Sequence, residues 1–155
     1  MKQLNPKWVD FALPVINNSP FFKNQNMKLV DLKYGKSFLE VEIKRKHLQP
    51  YGMVHGGVYA ALADGTGFFA VYSQVEGNDS AATIEMKINY LSSIRSGKLL
   101  AYGRCIKLTK SIGLAEASIK DEEANLLAHG TVTVMVKPPL SFPGLENLPP
   151  KFIEE

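Results

Sequence analysis

Cysteine is almost missing from this chain: Cys105 stands alone. A single cysteine rules out an intrachain disulfide and a cysteine-based metal cluster, and its position between Arg104 and Ile106 marks it as a small buried hydrophobe. Long hydrophobic runs are missing too. The first apolar stretch, residues 8–16, is broken by Asp10 and Pro14 and carries no small-residue cleavage pattern. It therefore reads as neither a membrane span nor a signal peptide, and the expected compartment is the cytoplasm. His47 and His129 lack metal-ligand spacing with other His, Asp or Glu, and no phosphate-cradling or dinucleotide fingerprint occurs. Neither a metal nor a redox cofactor is expected. Charge of one sign is not concentrated: the formal +3 is scattered, and only Lys44, Arg45, Lys46 and His47 form a short basic run. Such a run near a turn is a solvated loop, so no nucleic-acid partner is expected.

What the chain does have is enough apolar material, 45% of 155 residues, for one well-filled core and not two. Asn5 before Pro6 is an N-cap and first-turn pair; a short N-terminal helix carrying Trp8, Phe11 and Leu13 should follow and be interrupted at Pro14. Two strands are expected at 27–34 and 37–44, turning at Gly35 and Lys36. In the second, Leu39, Val41 and Ile43 alternate with Glu40 and Glu42. Residues 56–74 are apolar on every side, with Asp64 as the only charge, which is the pattern of a buried helix. Strands are then expected at 82–91, 98–108, 113–119 and 126–136, with Ile84, Met86, Ile88 and Tyr90 sharing one face of the first.

Two strands, a buried helix and four strands in meander spacing specify an α+β domain, 1–137, in which an antiparallel sheet wraps around one long helix. That order is the hotdog arrangement. Beyond it, 138–155 is rich in proline and reads as an extended tail, with Phe142, Leu145 and Phe152 as anchors to the surface or to a neighbour.

The chemistry concentrates where the chain enters the buried helix. His55 and the pair Gly56–Gly57 begin it, and first-turn N–H groups have no intrahelical partner, so Gly56 N–H is free to donate to a developing oxyanion. Paired glycines also let a ligand approach the backbone, which makes Gly57 a substrate-binding candidate. Asp64 inside an apolar helix carries a large desolvation cost, which points to a role as general base on water or as nucleophile. At 1.5 Å per residue, Gly56 and Asp64 lie about 12 Å apart along the helix. One carbonyl carbon cannot reach both in one chain, so the site is expected to be shared across a two-fold dimer with the helices antiparallel. His55 is out of phase with Asp64 for an intrachain dyad and is read as orienting the turn. Tyr51, Tyr59, Phe68, Phe69 and Tyr72 are candidates for an acyl pocket, although aromatics at such spacing are commonly core.

These motifs resemble the PaaI-like (phenylacetic-acid-degradation type) thioesterases of the hotdog superfamily, over about residues 45 to 136. The likeness rests on Gly52-Met-Val-His55-Gly56-Gly57, Leu62-x-Asp64, the strand Thr83-Ile-Glu-Met-Lys-Ile-Asn-Tyr90-Leu, and the later Gly-Lys-Leu and Leu-Leu-Ala-His-Gly-Thr-Val-Thr segments. It implies coenzyme A thioester substrates, no cofactor, and a dimer or dimer of dimers. It also implies Gly56 N–H as oxyanion donor, Asp64 as base or nucleophile, Thr83 as a hydroxyl that positions water, and Gln49 against the thioester carbonyl, where many relatives carry Asn. Lys110-Ser111-Ile112 replaces the family's Gly-Arg-like turn, leaving Lys110 as the candidate for phosphate contact. Strict alternation puts Thr83 on the face opposite Ile84, Met86 and Ile88, so it reaches Asp64 only if the strand bulges or twists there. Two other readings compete: a hotdog module that binds acyl-CoA without turnover, and a dehydratase or hydratase, for which His55 would need an acid partner across the site.

Overall fold

The computed structural model describes residues 2–141 and 147–154. Its elements run β1 (Lys2–Leu4), α1 (Pro6–Asn17), α2 (Pro20–Gln25), β2 (Met27–Lys33), β3 (Lys36–Glu42), a 3-10 turn (Arg45–His47), α3 (Gly56–Tyr72), β4 (Ser80–Tyr90), β5 (Lys98–Leu108), β6 (Ile112–Lys120), β7 (Leu126–Lys137) and β8 (Phe152–Glu154). Strands β2 to β7 form one antiparallel sheet in the order β2-β3-β5-β6-β7-β4, while β1 and β8 pair separately. The architecture is the α+β hotdog: α3 packs along the inner face of the sheet and touches β2 to β7.

Alternation decides which face is dry. Leu39 and Val41 of β3, Leu99 and Ala101 of β5, Ala115, Ala117 and Ile119 of β6, and Val132 and Val134 of β7 are all fully buried toward the helix. Against them α3 buries Leu62, Ala63, Thr66, Gly67, Ala70 and Val71. Close approach depends on missing side chains: a Cβ at Gly67 would lie 2.5 Å from Val132 Cγ2, and one at Gly103 would lie 2.4 Å from the Thr66 carbonyl oxygen. Ser37 Oγ also donates to that carbonyl, at 2.6 Å, tying β3 to the helix.

Several features differ from the sequence expectation. First, α1 runs through Pro14 to Asn17. Pro14 is exposed, so the one carbonyl it leaves unbonded faces water, while Trp8 and Ala12 on the buried face hold the helix to the core. Second, α2 occupies a stretch in which no element was expected. Pro20 at its first turn and Asn26 in the left-handed conformation (φ 54°) delimit it, and Phe22 meets Phe69 edge-on. Third, Ile84 does not share a face with Met86 and Ile88. A bulge between Thr83 and Glu85 ejects it, leaving Ile84 51% exposed. Of the basic run, Lys44, Arg45 and Lys46 are exposed, whereas His47 is buried: its Nδ1 accepts from Lys44 N and its Nε2 meets Gln25 O. Cys105 is half-buried.

In the tail, Phe142 and Leu145 lie outside the described residues. Phe152 begins β8 and meets Tyr34 edge-on. Before it, Lys151 is buried, with Nζ donating to Tyr72 O (2.6 Å) and Val75 O (2.8 Å) at the C-terminal end of α3.

Candidate active site

Asp64 sits midway along α3 beside a shallow, open cleft of about 450 Å³, lined by Ala60, Ala61 and Asp64 from the helix and by residues 83–86 of β4. The helix contributes the positions three and four residues before Asp64, so their short side chains leave the carboxylate a recess. Asp64 Oδ1 is buried and has no hydrogen-bond partner among the described residues. Buried polar atoms are overwhelmingly paired, and leaving one unpaired costs about 1–3 kcal/mol. An acceptor kept in that state is unexplained by stability.

The bulge in β4 puts Thr83 into the same cleft. Residues directly opposite across an antiparallel ladder share a face, and the register pairs Thr83 with Val134, Met86 with Val132 and Ile88 with Gly130. Val132 and Val134 point inward, so Thr83, Met86 and Ile88 do as well. One inserted residue resets the alternation, and Ile84 is that residue.

The second group of residues lies at the N-terminus of α3. His55 is the N-cap: its Nδ1 accepts from Gly57 N–H at 2.8 Å, and its backbone N–H donates to His47 O at 2.8 Å. Gly57 N–H is thereby consumed, whereas Gly56 N–H has no partner among the described residues and remains a free donor at the positive end of the helix. The Tyr90 ring lies over Gly56; a Cβ there would come within 3.3 Å of Tyr90 Cε1. Tyr90 meets Tyr59 edge-on, and burial pushes the Tyr59 phenol up, with the Ile94 backbone opposing. Gln49 stands on the loop 49–54 that leads to the helix. Its backbone exchanges bonds with Met53 O and Gly52 N–H, and its side-chain Oε1 accepts from Tyr51 N–H.

The sequence-derived candidates thus fall into two places in one chain: Asp64 and Thr83 at the cleft, and Gln49, His55, Gly56 and Gly57 at the helix start. Phe68 is one turn beyond Asp64, half-buried and stacked on Tyr72 (5.6 Å, 11°). Tyr51 projects from the loop, 80% exposed. Lys110 is exposed in the β5–β6 turn and does not line the cleft. Sequence reasoning passed over Ala60, Ala61 and the lid-like ring of Tyr90. The first two were legible as the i−4 and i−3 neighbours of Asp64. A groove of about 460 Å³ on the outer sheet face is lined by Phe38, Tyr102 and charges already engaged with one another, Lys33 with Asp31 and Arg104 with Glu116. It holds no unpaired buried acid. Among the described residues, no cluster of three or more His, Cys, Asp or Glu is arranged to hold a metal ion, and no helix is long and apolar enough to cross a membrane.

The chain is similar to known proteins over most of its length. A model of the thioesterase superfamily matches residues 51–128, which contain Gly56, Asp64 and Thr83. The 1,4-dihydroxy-2-naphthoyl-CoA hydrolase of Listeria monocytogenes is 30% identical over 111 residues, 72% of this chain and 90% of that protein. Among solved structures, a thioesterase from Haemophilus influenzae superposes with a TM-score of 0.76 at 23% identity, covering 83% of this chain and 90% of its own. A Streptococcus mutans protein solved with acetyl CoA bound superposes with a TM-score of 0.68 at 26% identity, over 75% of this chain and 92% of its own.

Proposed function

The chain belongs to the thioesterase superfamily, and on that footing we propose that it hydrolyses acyl-coenzyme A to the free acid and coenzyme A at a site shared by two copies of the protein. The observation that carries this reading is Asp64, which lines a cleft together with Thr83 and whose buried Oδ1 has no hydrogen-bond partner among the described residues. The likeness to a CoA-thioester hydrolase and to a protein that binds acetyl CoA supports the substrate class.

In this mechanism Thr83 holds a water against Asp64. Asp64 takes a proton as the water oxygen adds to the thioester carbonyl carbon. The negative charge that develops on the carbonyl oxygen is met by the partner subunit's Gly56 N–H and the partner subunit's Gln49 amide NH2, where the helix dipole adds to the stabilisation. The C–S bond then breaks, and the departing thiolate recovers the proton from Asp64. Direct attack by Asp64 on the carbonyl is the competing route. A single turnover in ¹⁸O-water separates the two: label enters the product acid if water attacks the thioester, whereas if Asp64 attacks and water then opens the anhydride at the Asp64 carbonyl, the label stays in Asp64 and the product acid is unlabelled.

Two observations favour the shared site. Asp64 and Gly56 are eight positions apart on one straight helix, about 12 Å. Strand β4 ends the sheet with 11 residues and, among the described residues, no partner strand on its outer side, directly beside the cleft, and such an edge invites a second strand. Pairing there through a two-fold axis runs the helices antiparallel and brings each Asp64 toward the other chain's helix start. Phe68 and the exposed Ile84 flank the cleft and are proposed to contact the acyl group; Tyr51, Gly57 and Lys110 are proposed to contact the remainder of the substrate.

The test is release of free thiol from a panel of short, medium, long and aromatic acyl-CoAs by wild type and Asp64→Asn, with sizing in parallel. We expect turnover on at least one substrate and a fall of at least about 100-fold in the variant without loss of the dimer. Binding of acyl-CoA with no turnover on any substrate would instead establish a non-catalytic binding module.

A further inference from the structure

We propose that Arg95 is a positioning residue for Gln49, acting through the backbone of Tyr51. The inference rests on the reading in which Gln49 donates to the thioester carbonyl, and it explains how an exposed loop holds that amide in one orientation.

Both polar backbone groups of Tyr51 are spoken for. Its N–H donates to Gln49 Oε1, and its carbonyl accepts from Arg95 Nη1 at 2.7 Å. Because the amide oxygen of Gln49 is engaged, its NH2 end is the end left to donate, as a carbonyl ligand requires. An amide free to flip would present the oxygen half the time, and two facing acceptors repel. The arrangement therefore depends on the Tyr51 backbone staying where it is. Tyr51 itself is 80% exposed and does not anchor the loop by burial.

The surroundings are built to admit the guanidinium. Gly52 adopts φ +79°, a conformation side chains rarely take, and a Cβ there would sit 2.9 Å from Arg95 Nη1. Arg95 is exposed and, among the described residues, pairs with no carboxylate, so its one directed contact is the Tyr51 carbonyl. The rest of the β4–β5 connection grips the loop independently: Val54 N–H donates to Ile94 O at 2.9 Å, and Ser93 Oγ to Met53 Sδ at 3.1 Å. Removing the guanidinium thus leaves the loop attached and frees only the Tyr51 backbone.

A double-mutant cycle on kcat tests this, with wild type, Arg95→Ala, Gln49→Ala and the double variant assayed on one acyl-CoA and on the matching acyl-pantetheine, which lacks phosphates. Removing an oxyanion donor costs about 100-fold, so Gln49→Ala should fall by about that much. Arg95→Ala should fall by about 10-fold on both substrates, with its melting temperature retained and no further loss in the Gln49→Ala background. An equal loss in both backgrounds, or a loss confined to the KM for the CoA ester, overturns the inference; the latter makes Arg95 a phosphate contact. An undiminished Gln49→Ala overturns the carbonyl reading of Gln49 and this inference with it, while loss of turnover in Asp64→Asn would still stand.

Discussion

Thr83→Val keeps the branched shape and removes the hydroxyl. Because Thr83 lines the cleft with Asp64 and among the described residues no protein group is bonded to its Oγ1, fold stability should hardly change while the attacking water loses its second partner. We expect kcat to fall by about 10-fold with KM within about two-fold, read from initial rates, and an unchanged melting curve. A kcat equal to wild type would remove Thr83 from the mechanism. Asp64 was legible from sequence because a lone carboxylate among apolar helix residues is expensive, and Gly56 because it opens a helix. Thr83 was named only through the family resemblance and on condition of a bulge, since period-two alternation assigns it to the wrong face and nothing in the local composition announces the extra residue at Ile84. Bulges are set by the pairing partner, here the fixed alternation of Val132 and Val134, and a single strand does not display its partner.

At the scale of elements, the C-terminal end of α3 is held by the tail. Lys151 donates to the carbonyls of Tyr72, the last residue of α3, and of Val75 just beyond it, and lies over the rings of Tyr72 (3.9 Å), Trp8 (5.2 Å) and Phe152 (5.5 Å). Burial pulls its ammonium down from 10.5 to about 7; Glu76 opposes the shift and Lys2 adds to it. The folded state therefore sheds a proton that the unfolded chain keeps up to its ordinary value. Stability contributed by Lys151 is full above about 10.5, diminishes as pH falls toward 7 and is flat below. Melting temperatures of wild type and Lys151→Met, compared from pH 6 to 10, should show the wild type gaining on the variant only above about pH 7; parallel curves would show that the amine does not titrate in this window. The long elements were readable because each carries many turns or alternations of one pattern. The three-residue pair β1–β8 was not: strands that short have no period, and their partners stand about 150 positions apart.

The whole molecule is where the proposed chemistry is most exposed to test, because a site split between two chains can be reassembled from two inactive proteins. Asp64→Asn retains Gln49 and Gly56; Gln49→Ala retains Asp64. In a hybrid dimer, one of the two sites joins Asp64 of one chain to the intact helix start of the other, and the second site carries both lesions. Random reassortment of an equal mixture makes half the dimers hybrid, so refolding the two variants together should restore roughly a quarter of the wild-type rate. The quantity to measure is thiol release before and after co-refolding, with each variant refolded alone as the baseline. If the rate stays at that baseline while sizing shows dimers, each chain works by itself, and the helix geometry that separates Gly56 from Asp64 would have to be bridged by a substrate spanning about 12 Å. Recovery well above a quarter would mean that one site governs the rate of both, which would make the dimer a coupled unit and not two independent clefts.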